Sequence, residues 1–250
     1  MRLICACVFA AALAASFAGP SASASQPSKG SLPPGIQPPA PPLVQLANQK
    51  RRQLEQAAES GDADAMFKLA VELSADKTNQ ESLAAALQWL ERGAEKGHAD
   101  AARVAGEWRM KGIGGSQDIE AAARFFRIGA DAGSIEATYY VGVFHQKGWG
   151  GPEDPAKAAA AFAKAANARL VSAAYSYGTC LADGYGVEKD LVESEKWIRG
   201  AATAGMPDAC WSMVRIYSMG LGVVVDEIEA GRWAKRGAEL GHVDSAYILG

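Results

Sequence analysis

The chain of 250 residues carries 25 Lys and Arg residues against 28 Asp and Glu residues, which gives a net charge of −3. This balance argues against an extended basic surface for nucleic acid. Hydrophobic residues make up 49% of the chain, a fraction that is sufficient for a folded core.

The first residues have the features of a secretory signal peptide. Met1-Arg2 precede an uncharged apolar stretch, and Ala22-Ser23-Ala24 supplies a small-x-small cleavage signal. We predict a signal peptide over residues 1–24, cleavage after Ala24, and a periplasmic or secreted mature protein. An uncleaved anchor is the alternative interpretation. The mature chain has no second hydrophobic stretch long enough for an integral membrane segment.

A proline-rich segment follows over residues 25–45. It holds six prolines between Pro33 and Pro42, together with Ser and Gly. This composition cannot bury a core and favours an extended chain, which predicts a linker. A proline-rich docking motif for a partner is the alternative.

From residue 57 onward a small-small-x-x-Gly pattern returns every 36 residues. Its last positions, called the anchors here, are Gly61, Gly97, Gly133, Arg169, Gly205 and Gly241. Only Arg169 departs from glycine. A fixed period of this size indicates stacked supersecondary units instead of one globular core.

The residues between two anchors predict a pair of helices. Counted from the anchor, small residues stand at +4 and +9, paired glycines at +15 and +17, Asp at +21 and large apolar residues at +28 and +29. Paired glycines end a helix, and Asp before an apolar-periodic run is an N-cap signal. We predict helix A over about +2 to +14, a Gly-x-Gly loop, and helix B over about +21 to +35.

This pattern resembles the Sel1-like repeat family, which is related to tetratricopeptide repeats. The best match, over 173–205, contains Tyr177-Gly178, Gly184-Tyr185-Gly186-Val187, Asp190 and Trp197. The first repeat departs from the pattern, with Asp76-Lys77-Thr78 in place of the glycine loop. The resemblance implies an all-α fold over 46–250. It would be an α/α solenoid, wound as a right-handed superhelix, of about five 36-residue helix-turn-helix repeats plus half-repeats at both ends.

After removal of the signal peptide two cysteines remain, Cys180 and Cys210. They occupy +11 and +5 of neighbouring A helices. In parallel helices this offset of six residues is about 9 Å along the axis, longer than the roughly 7 Å that a disulfide tolerates between Cα atoms. We predict two buried free thiols.

Signals for catalysis are weak, and we predict no enzyme activity, no metal site and no cofactor. The histidines His98, His145 and His242 lie in separate repeats without a ligand cluster around them. Ser74 and Lys77 fit the Ser-x-x-Lys motif of penicillin-recognising enzymes, but neither Ser-Asp-Asn nor Lys-Thr-Gly follows. A β-lactam-binding or hydrolysing Sel1-like enzyme is therefore kept only as an alternative.

Helical geometry separates two faces of helix A. Positions +4, +5, +8, +9 and +12 point one way, and +3, +6, +10 and +13 point the other. By similarity to tetratricopeptide arrays, the second face lines a concave groove. It carries an aromatic row at +6, namely Phe67, Arg103, Tyr139, Tyr175, Trp211 and Tyr247. It also carries an acidic row at +3, namely Asp64, Asp100, Glu136, Ser172, Asp208 and Asp244.

Both rows have two interpretations. An aromatic row beside an acidic row suits a peptide with apolar anchors and basic residues. Alternatively, the acids stabilise the first helical turn and the aromatics pack between repeats. A further loop row lies at +16, namely Ile113, Trp149, Tyr185 and Leu221. These apolar loop tips form either a contact ridge or a contact with the next loop.

The favoured function is an exported, non-catalytic scaffold that binds a protein or peptide partner through the concave surface of helix A. No nucleic acid partner is expected. A carbohydrate-binding envelope module is the other alternative, because Tyr139, Tyr175 and Trp211 have rings that stack on sugars.

Overall fold

The structure, a computed structural model, describes residues 42–248. Within this range it consists of helices joined by short loops, without a β-strand. The predicted signal peptide and the linker up to residue 41 lie outside the described residues. The helices from Gln45 onward belong to one compact unit.

Twelve helices follow one another across residues 42–248. They are α1 (Pro42–Glu59), α2 (Ala63–Leu73), α3 (Gln80–Glu95), α4 (Ala99–Lys111), α5 (Ile119–Asp131), α6 (Ile135–Lys147), α7 (Pro155–Asn167), α8 (Val171–Asp183), α9 (Leu191–Thr203), α10 (Pro207–Met219), α11 (Glu227–Glu239) and α12 (Val243–Ile248). Helices α2 to α11 form five A–B pairs, α1 stands as a B helix and α12 as an A helix. This confirms the predicted all-α solenoid of five repeats with a half-repeat at each end.

The ends of the helices lie where the sequence signals predict them. Asp118 begins α5, and its carboxylate accepts a hydrogen bond from the Ala121 N–H at 2.9 Å. Gly112 ends α4 in the left-handed conformation, φ +72°. Helix α1 begins at Pro42, four residues before the predicted start of the solenoid, and proline is well suited to a first helical position because it needs no amide partner there.

Consecutive helices pack on each other, so the core is a series of small clusters along the array. The small residues at +4 and +9 allow this packing. Ala137 is fully buried. At Gly142 an added Cβ would lie 2.7 Å from the ring of Phe162 on helix α7. The helices therefore approach each other more closely than a larger residue would allow.

Arg169 forms the same closing turn as the glycines that it replaces. It adopts φ +68°, and within residues 42–248 it is the one non-glycine residue with positive φ. Its N–H donates to the Ala166 carbonyl at 2.8 Å. The equivalent Gly133 N–H donates to the Ala130 carbonyl at 3.2 Å. The turn thus tolerates arginine, at the conformational cost of a left-handed residue with a Cβ.

We predict that Arg169→Gly stabilises the protein. Glycine relieves the left-handed strain but adds entropy to the unfolded chain, so the free energy of unfolding should rise by about 0.5–1 kcal/mol. Urea denaturation followed by circular dichroism measures this change. Arg169→Ala is the control, because alanine removes the side chain but keeps the strain. Equal stability of the glycine and alanine variants would contradict the explanation.

Candidate functional site

The acidic row and the aromatic row lie side by side on helix A, and the two rows differ in how far they are covered. The carboxylates of the acidic row are exposed, with side-chain exposures of 75% for Asp64, 59% for Asp100 and 66% for Asp208. Glu136 is exposed as well. The described side chains of the aromatic row are half-buried. The side chain of Tyr247 lies outside the described residues.

Each half-buried aromatic side chain of this row contacts the neighbouring helix or repeat. The rings of Phe67 and His98 stack with centroids 4.7 Å apart, and those of Tyr139 and Phe162 lie 5.6 Å apart. The Tyr175 hydroxyl lies 3.1 Å from the hydroxyl of Ser212 in the next repeat. The aromatic row therefore joins consecutive repeats and keeps part of its surface exposed.

Arg103 takes the place of an aromatic residue in the second repeat. Its guanidinium lies 2.7 Å from Glu107 and 3.6 Å from Asp100, both on the same helix. Asp100 thus has a basic partner on its own helix, in the neighbouring +6 row. The aromatic surface is interrupted at this repeat, and its longest continuous part runs from Tyr139 through Tyr175 to Trp211.

Two histidines connect the acidic and aromatic rows, a role that the sequence analysis did not identify. His98 is the N-cap of α4, and its Nδ1 accepts a hydrogen bond from the Ala101 N–H at 3.1 Å. Its Nε2 lies 3.3 Å from Asp64 of the preceding repeat. The stacking on Phe67 completes the contact. The sequence signal was the position of the histidine, one residue after the anchor, where an N-cap side chain is needed.

The same arrangement recurs at the end of the array. His242 stacks on Trp211 with ring centroids 5.6 Å apart, and its Nε2 lies 3.7 Å from Asp208. Its Nδ1 accepts a hydrogen bond from the Ser245 N–H at 3.2 Å. Two repeats thus use one acid and one aromatic side chain to fix the histidine of the next repeat, so these residues stabilise the contact between repeats.

The loop row does not form a uniform exposed ridge. Ile113, Tyr185 and Leu221 are half-buried. The Tyr185 hydroxyl donates to the Gln146 carbonyl at 3.3 Å, and Leu221 packs against the cluster around Trp233. Trp149 differs, because 42% of its surface is exposed while its ring meets the edge of Phe144 at 5.4 Å. The available surface of the row is therefore centred on Trp149.

Cys180 and Cys210 are buried free thiols, as the helical offset predicted. Burial raises the pKa of Cys180 to about 11 and also raises the pKa of Cys210. Cys210 Sγ lies 3.7 Å from the carbonyl oxygen of Ala202, to which it donates. Both groups are protonated thiols at neutral pH and act as small apolar core residues.

Ser74, the candidate nucleophile, ends helix α2. Its hydroxyl donates to the carbonyl of Val71 at 2.8 Å. In the adjacent loop Asp76 accepts hydrogen bonds from the side chain and the backbone of Thr78, which lower the pKa of its carboxyl group. The Ser74 hydrogen bond is typical of a helix end, and the Asp76 hydrogen bonds are typical of a short turn. Ser74 therefore has a structural role at the end of α2.

Residues 42–248 contain no group of three His, Cys, Asp or Glu side chains placed to hold a metal ion. Among the described helices, none combines the length and the apolar character needed to cross a membrane.

The fold and the repeated face define an α/α repeat solenoid of helix-turn-helix units. The family described as Sel1 repeat matches five consecutive segments, 63–98, 99–134, 135–169, 171–206 and 207–242. These segments cover more than half of the chain, and the protein belongs to the Sel1 repeat family. Members of this family are generally protein–protein interaction scaffolds and are typically not enzymes.

Solved structures agree with this assignment. The chain is 31% identical to c5321, a protective antigen of uropathogenic Escherichia coli with an SLR fold, with a TM-score of 0.74. The similarity covers 80% of this chain and 43% of that chain, so this chain spans less than half of its length. A Sel1 repeat protein from Oxalobacter formigenes is 22% identical, with a TM-score of 0.68 and coverages of 83% and 85%. No curated protein matches the chain closely.

We predict that His98→Ala lowers the free energy of unfolding by about 1–2 kcal/mol, because it removes an N-cap and the stacking on Phe67. His98→Asn keeps a capping side chain and should recover about 1 kcal/mol. Urea denaturation of the three proteins measures both effects. If the asparagine and alanine variants unfold at the same denaturant concentration, the cap contributes nothing and the stacking alone fixes the histidine.

Proposed function

We propose that the protein is an exported, non-catalytic scaffold that binds a peptide or protein partner along the groove face of helix A. One observation carries this proposal. Exposed acids at +3 stand beside half-buried aromatic side chains at +6 in the first, third and fifth repeats, namely Asp64 with Phe67, Glu136 with Tyr139 and Asp208 with Trp211. A partner that lies along this face meets the acid–aromatic pair in alternate repeats, because Arg103 and Ser172 interrupt it in the second and fourth repeats.

The chemistry of the two rows suggests which partner residues fit. The exposed surfaces of Tyr139, Tyr175 and Trp211 suit apolar or aromatic anchors, because aromatic groups dominate the energy of most interfaces. The carboxylates of the acidic row at +3 suit Lys and Arg side chains of a partner. Their negative electrostatic potential increases the rate of association with a basic segment. The partner segment is therefore a basic peptide with apolar anchors, helical or extended.

The packing of the rows supports a rigid surface. Tyr175 and Trp211 contact the next repeat, so their rings are held before a partner arrives. A preorganised surface loses less side-chain entropy on binding, which favours affinity. The proposed mechanism is recognition by a fixed array of side chains without chemical change in the partner.

Export is the second part of the proposal, and it rests on the signal peptide features of residues 1–24. The mature protein would begin at Ser25 and work in the periplasm or outside the cell, with residues 25–45 linking its N terminus to the solenoid.

We predict that the full chain, produced with a C-terminal tag in a Gram-negative host bacterium, is recovered from the periplasmic or culture fraction. N-terminal sequencing should show Ser25 as the first residue. A matched variant with Arg in place of Ala24 should be processed poorly, because the small residue before the cleavage site is lost. Recovery of the wild type in the cytoplasm with Met1 intact would contradict export, and a membrane-bound uncleaved form would establish the anchor interpretation.

The groove is tested by neutralising exposed acids. We predict that Asp100→Asn with Glu136→Gln reduces capture of the partner from envelope extract by about fivefold to tenfold, since each exposed charge contact is worth up to about 1 kcal/mol. The control is Glu81→Gln with Glu120→Gln, which removes two exposed first-turn acids from B helices. Both double variants lose two first-turn acids, and Asp100→Asn in addition removes the 3.6 Å contact with Arg103.

Quantitative mass spectrometry of the captured proteins compares the three samples at two salt concentrations. Selective loss with the groove variant supports the proposal, and a reduced salt dependence would show that the acids act by charge. Equal capture by all three proteins would move the binding surface away from the acidic row. Capture of no protein, together with quenching of Trp211 fluorescence by envelope polysaccharide, would favour the carbohydrate alternative.

A further inference from the structure

The loop between α10 and α11 and its two ends carry a group of exposed apolar side chains, called the apolar loop patch here. Its members are Met219, Val224, Val225 and Ile228, with 62%, 87%, 54% and 73% of their surfaces exposed. Single exposed apolar residues are common on folded proteins, whereas several together in one short loop are typical of a contact surface.

The four side chains are grouped because the loop folds back on the end of α10. The Asp226 N–H donates to the Tyr217 carbonyl at 3.0 Å, which holds the start of α11 against the end of α10. A Cβ on Gly220 would lie 3.0 Å from Cγ2 of Val225, so this valine lies beside the residue that follows Met219. The patch therefore occupies one corner of the array, on its loop edge.

The fold does not require apolar residues at these positions. Met219, Val224, Val225 and Ile228 stand at +14, +19, +20 and +23. The second, third and fourth repeats carry Lys111, Lys147 and Asp183 at +14, Ser116, Pro152 and Glu188 at +19, Gln117, Glu153 and Lys189 at +20, and Glu120, Ala156 and Val192 at +23. Val192 is the one large aliphatic residue among them. The apolar character of the whole group is therefore specific to the fifth repeat.

A further repeat packed after the fifth would not cover the patch. The residues at +14, +19, +20 and +23 of the second, third and fourth repeats are all exposed, although another repeat follows each of these. Neighbouring repeats meet instead at +17, where a Cβ on Gly222 would lie 2.6 Å from the backbone of Leu191. The patch is thus a surface for a separate molecule.

The charges beside the patch on α11 are negative. Between residues 218 and 230 the charged residues are Asp226, Glu227 and Glu229. Glu229 pairs with Arg232 at 3.0 Å and lies 3.9 Å from Arg199. Glu227 is exposed and forms no ion pair within residues 42–248.

The elements packed against the loop contribute charges of both signs. The end of the preceding loop, next to Leu191, carries Glu188, Lys189 and Asp190, and α10 carries Arg215 one turn before Met219. All four are exposed. With Asp226 and Glu227, the exposed surroundings of the patch hold four acids against two bases, so a partner with basic residues is favoured electrostatically.

This chemistry selects among the possible occupants. The patch is aliphatic and offers no aromatic ring for stacking on a sugar. Its acidic surroundings are repelled by anionic lipid headgroups. A second copy in a twofold contact would place the same acids against each other. A polypeptide segment with apolar side chains flanked by Lys or Arg matches both the patch and its surroundings.

We propose that the apolar loop patch binds the apolar anchor of a basic polypeptide segment. This inference rests on the proposed function, because it assigns an anchor site to the same class of partner. Met219 follows Asp208 by eleven residues, so both lie on one face of α10, about 17 Å apart along the helix axis. An extended segment of about five residues spans this distance. One segment can therefore place Lys or Arg at Asp208 and an aliphatic side chain at Met219.

The test measures binding of three short peptides by nuclear magnetic resonance of the purified protein. Acetyl-Lys-Leu-Ile-Leu-Lys-amide is basic and apolar, acetyl-Glu-Leu-Ile-Leu-Glu-amide reverses its charge, and acetyl-Lys-Ser-Gln-Ser-Lys-amide removes its apolar side chains. The observed signals are the ε-methyl group of Met219 and the δ1-methyl group of Ile228, assigned by their loss in Met219→Leu and Ile228→Val.

Val224→Ser with Val225→Gln is the decisive variant, because it introduces the residues that the second repeat carries at the same positions. There Gln117 donates to the Met110 carbonyl at 2.8 Å, so the loop accommodates glutamine. We expect wild-type circular dichroism and binding of the basic apolar peptide at least about tenfold weaker than in the wild type. The control is Val71→Ser with Leu46→Gln, which removes two apolar residues with 53% and 48% exposure at the other end of the array.

Saturable shifts of both methyl signals with the basic apolar peptide, weakened in the patch variant and unchanged in the control, establish the site. The charge-reversed peptide should bind at least about fivefold more weakly. The proposal is overturned if the charge-reversed or the polar peptide binds equally, if the patch variant and the control bind alike, or if the basic apolar peptide does not saturate with a Kd below about 10 mM. Sedimentation showing a dimer that the patch variant abolishes would assign the patch to a second copy instead.

The groove variant Asp100→Asn with Glu136→Gln separates this site from the groove. It should bind the basic apolar peptide as the wild type does, because neither residue lies near the loop after α10. Equal loss of binding in this variant would place the peptide in the groove and overturn the anchor site. Failure of the anchor site is therefore distinguishable from failure of the groove, which is measured by capture of the envelope partner.

Discussion

The close approach of helix A to its neighbours is the constraint on which the rest of the structure depends. The residues at +4 are alanines with at most 4% exposure in five repeats, and a Cβ at Gly142 would collide with the ring of Phe162. Small residues at these positions let large side chains of helix B fill the space between repeats. Because each cluster is shared only by adjacent helices, stability accumulates along the array through local contacts.

This packing also fixes the candidate binding surface. Once +4 and +9 face the core, +3 and +6 must lie on the opposite side of helix A in every repeat. The positions of the two rows are therefore a geometric consequence of the repeat. The side chains that fill these positions are specific to this sequence. His98 and His242 show that the same side chains also join repeats. The aromatic rings of this face therefore contribute to stability, and substitution of exposed acids tests the proposed recognition with less effect on folding than removal of the rings.

The repeats differ in the loops that join helix A to helix B. At +18 the fourth and fifth repeats carry Val187 and Val223, which pack against the core clusters, whereas the second and third repeats carry Gly115 and Gly151. A regular array makes such a departure recognisable, because the neighbouring repeats show what would otherwise occupy the space.

The sequence by itself determined the helices, their pairing and the period, since caps, closing glycines and apolar spacing are local signals that repeat five times. It also predicted the buried thiols of Cys180 and Cys210 from their offset. Only the tertiary structure decided how far each residue of the aromatic row is covered, that His98 joins two repeats, and that Tyr185 packs inward while Trp149 stays exposed. These properties depend on contacts between residues about one repeat apart, and periodicity predicts where such residues meet but not which atoms touch or what space remains between them.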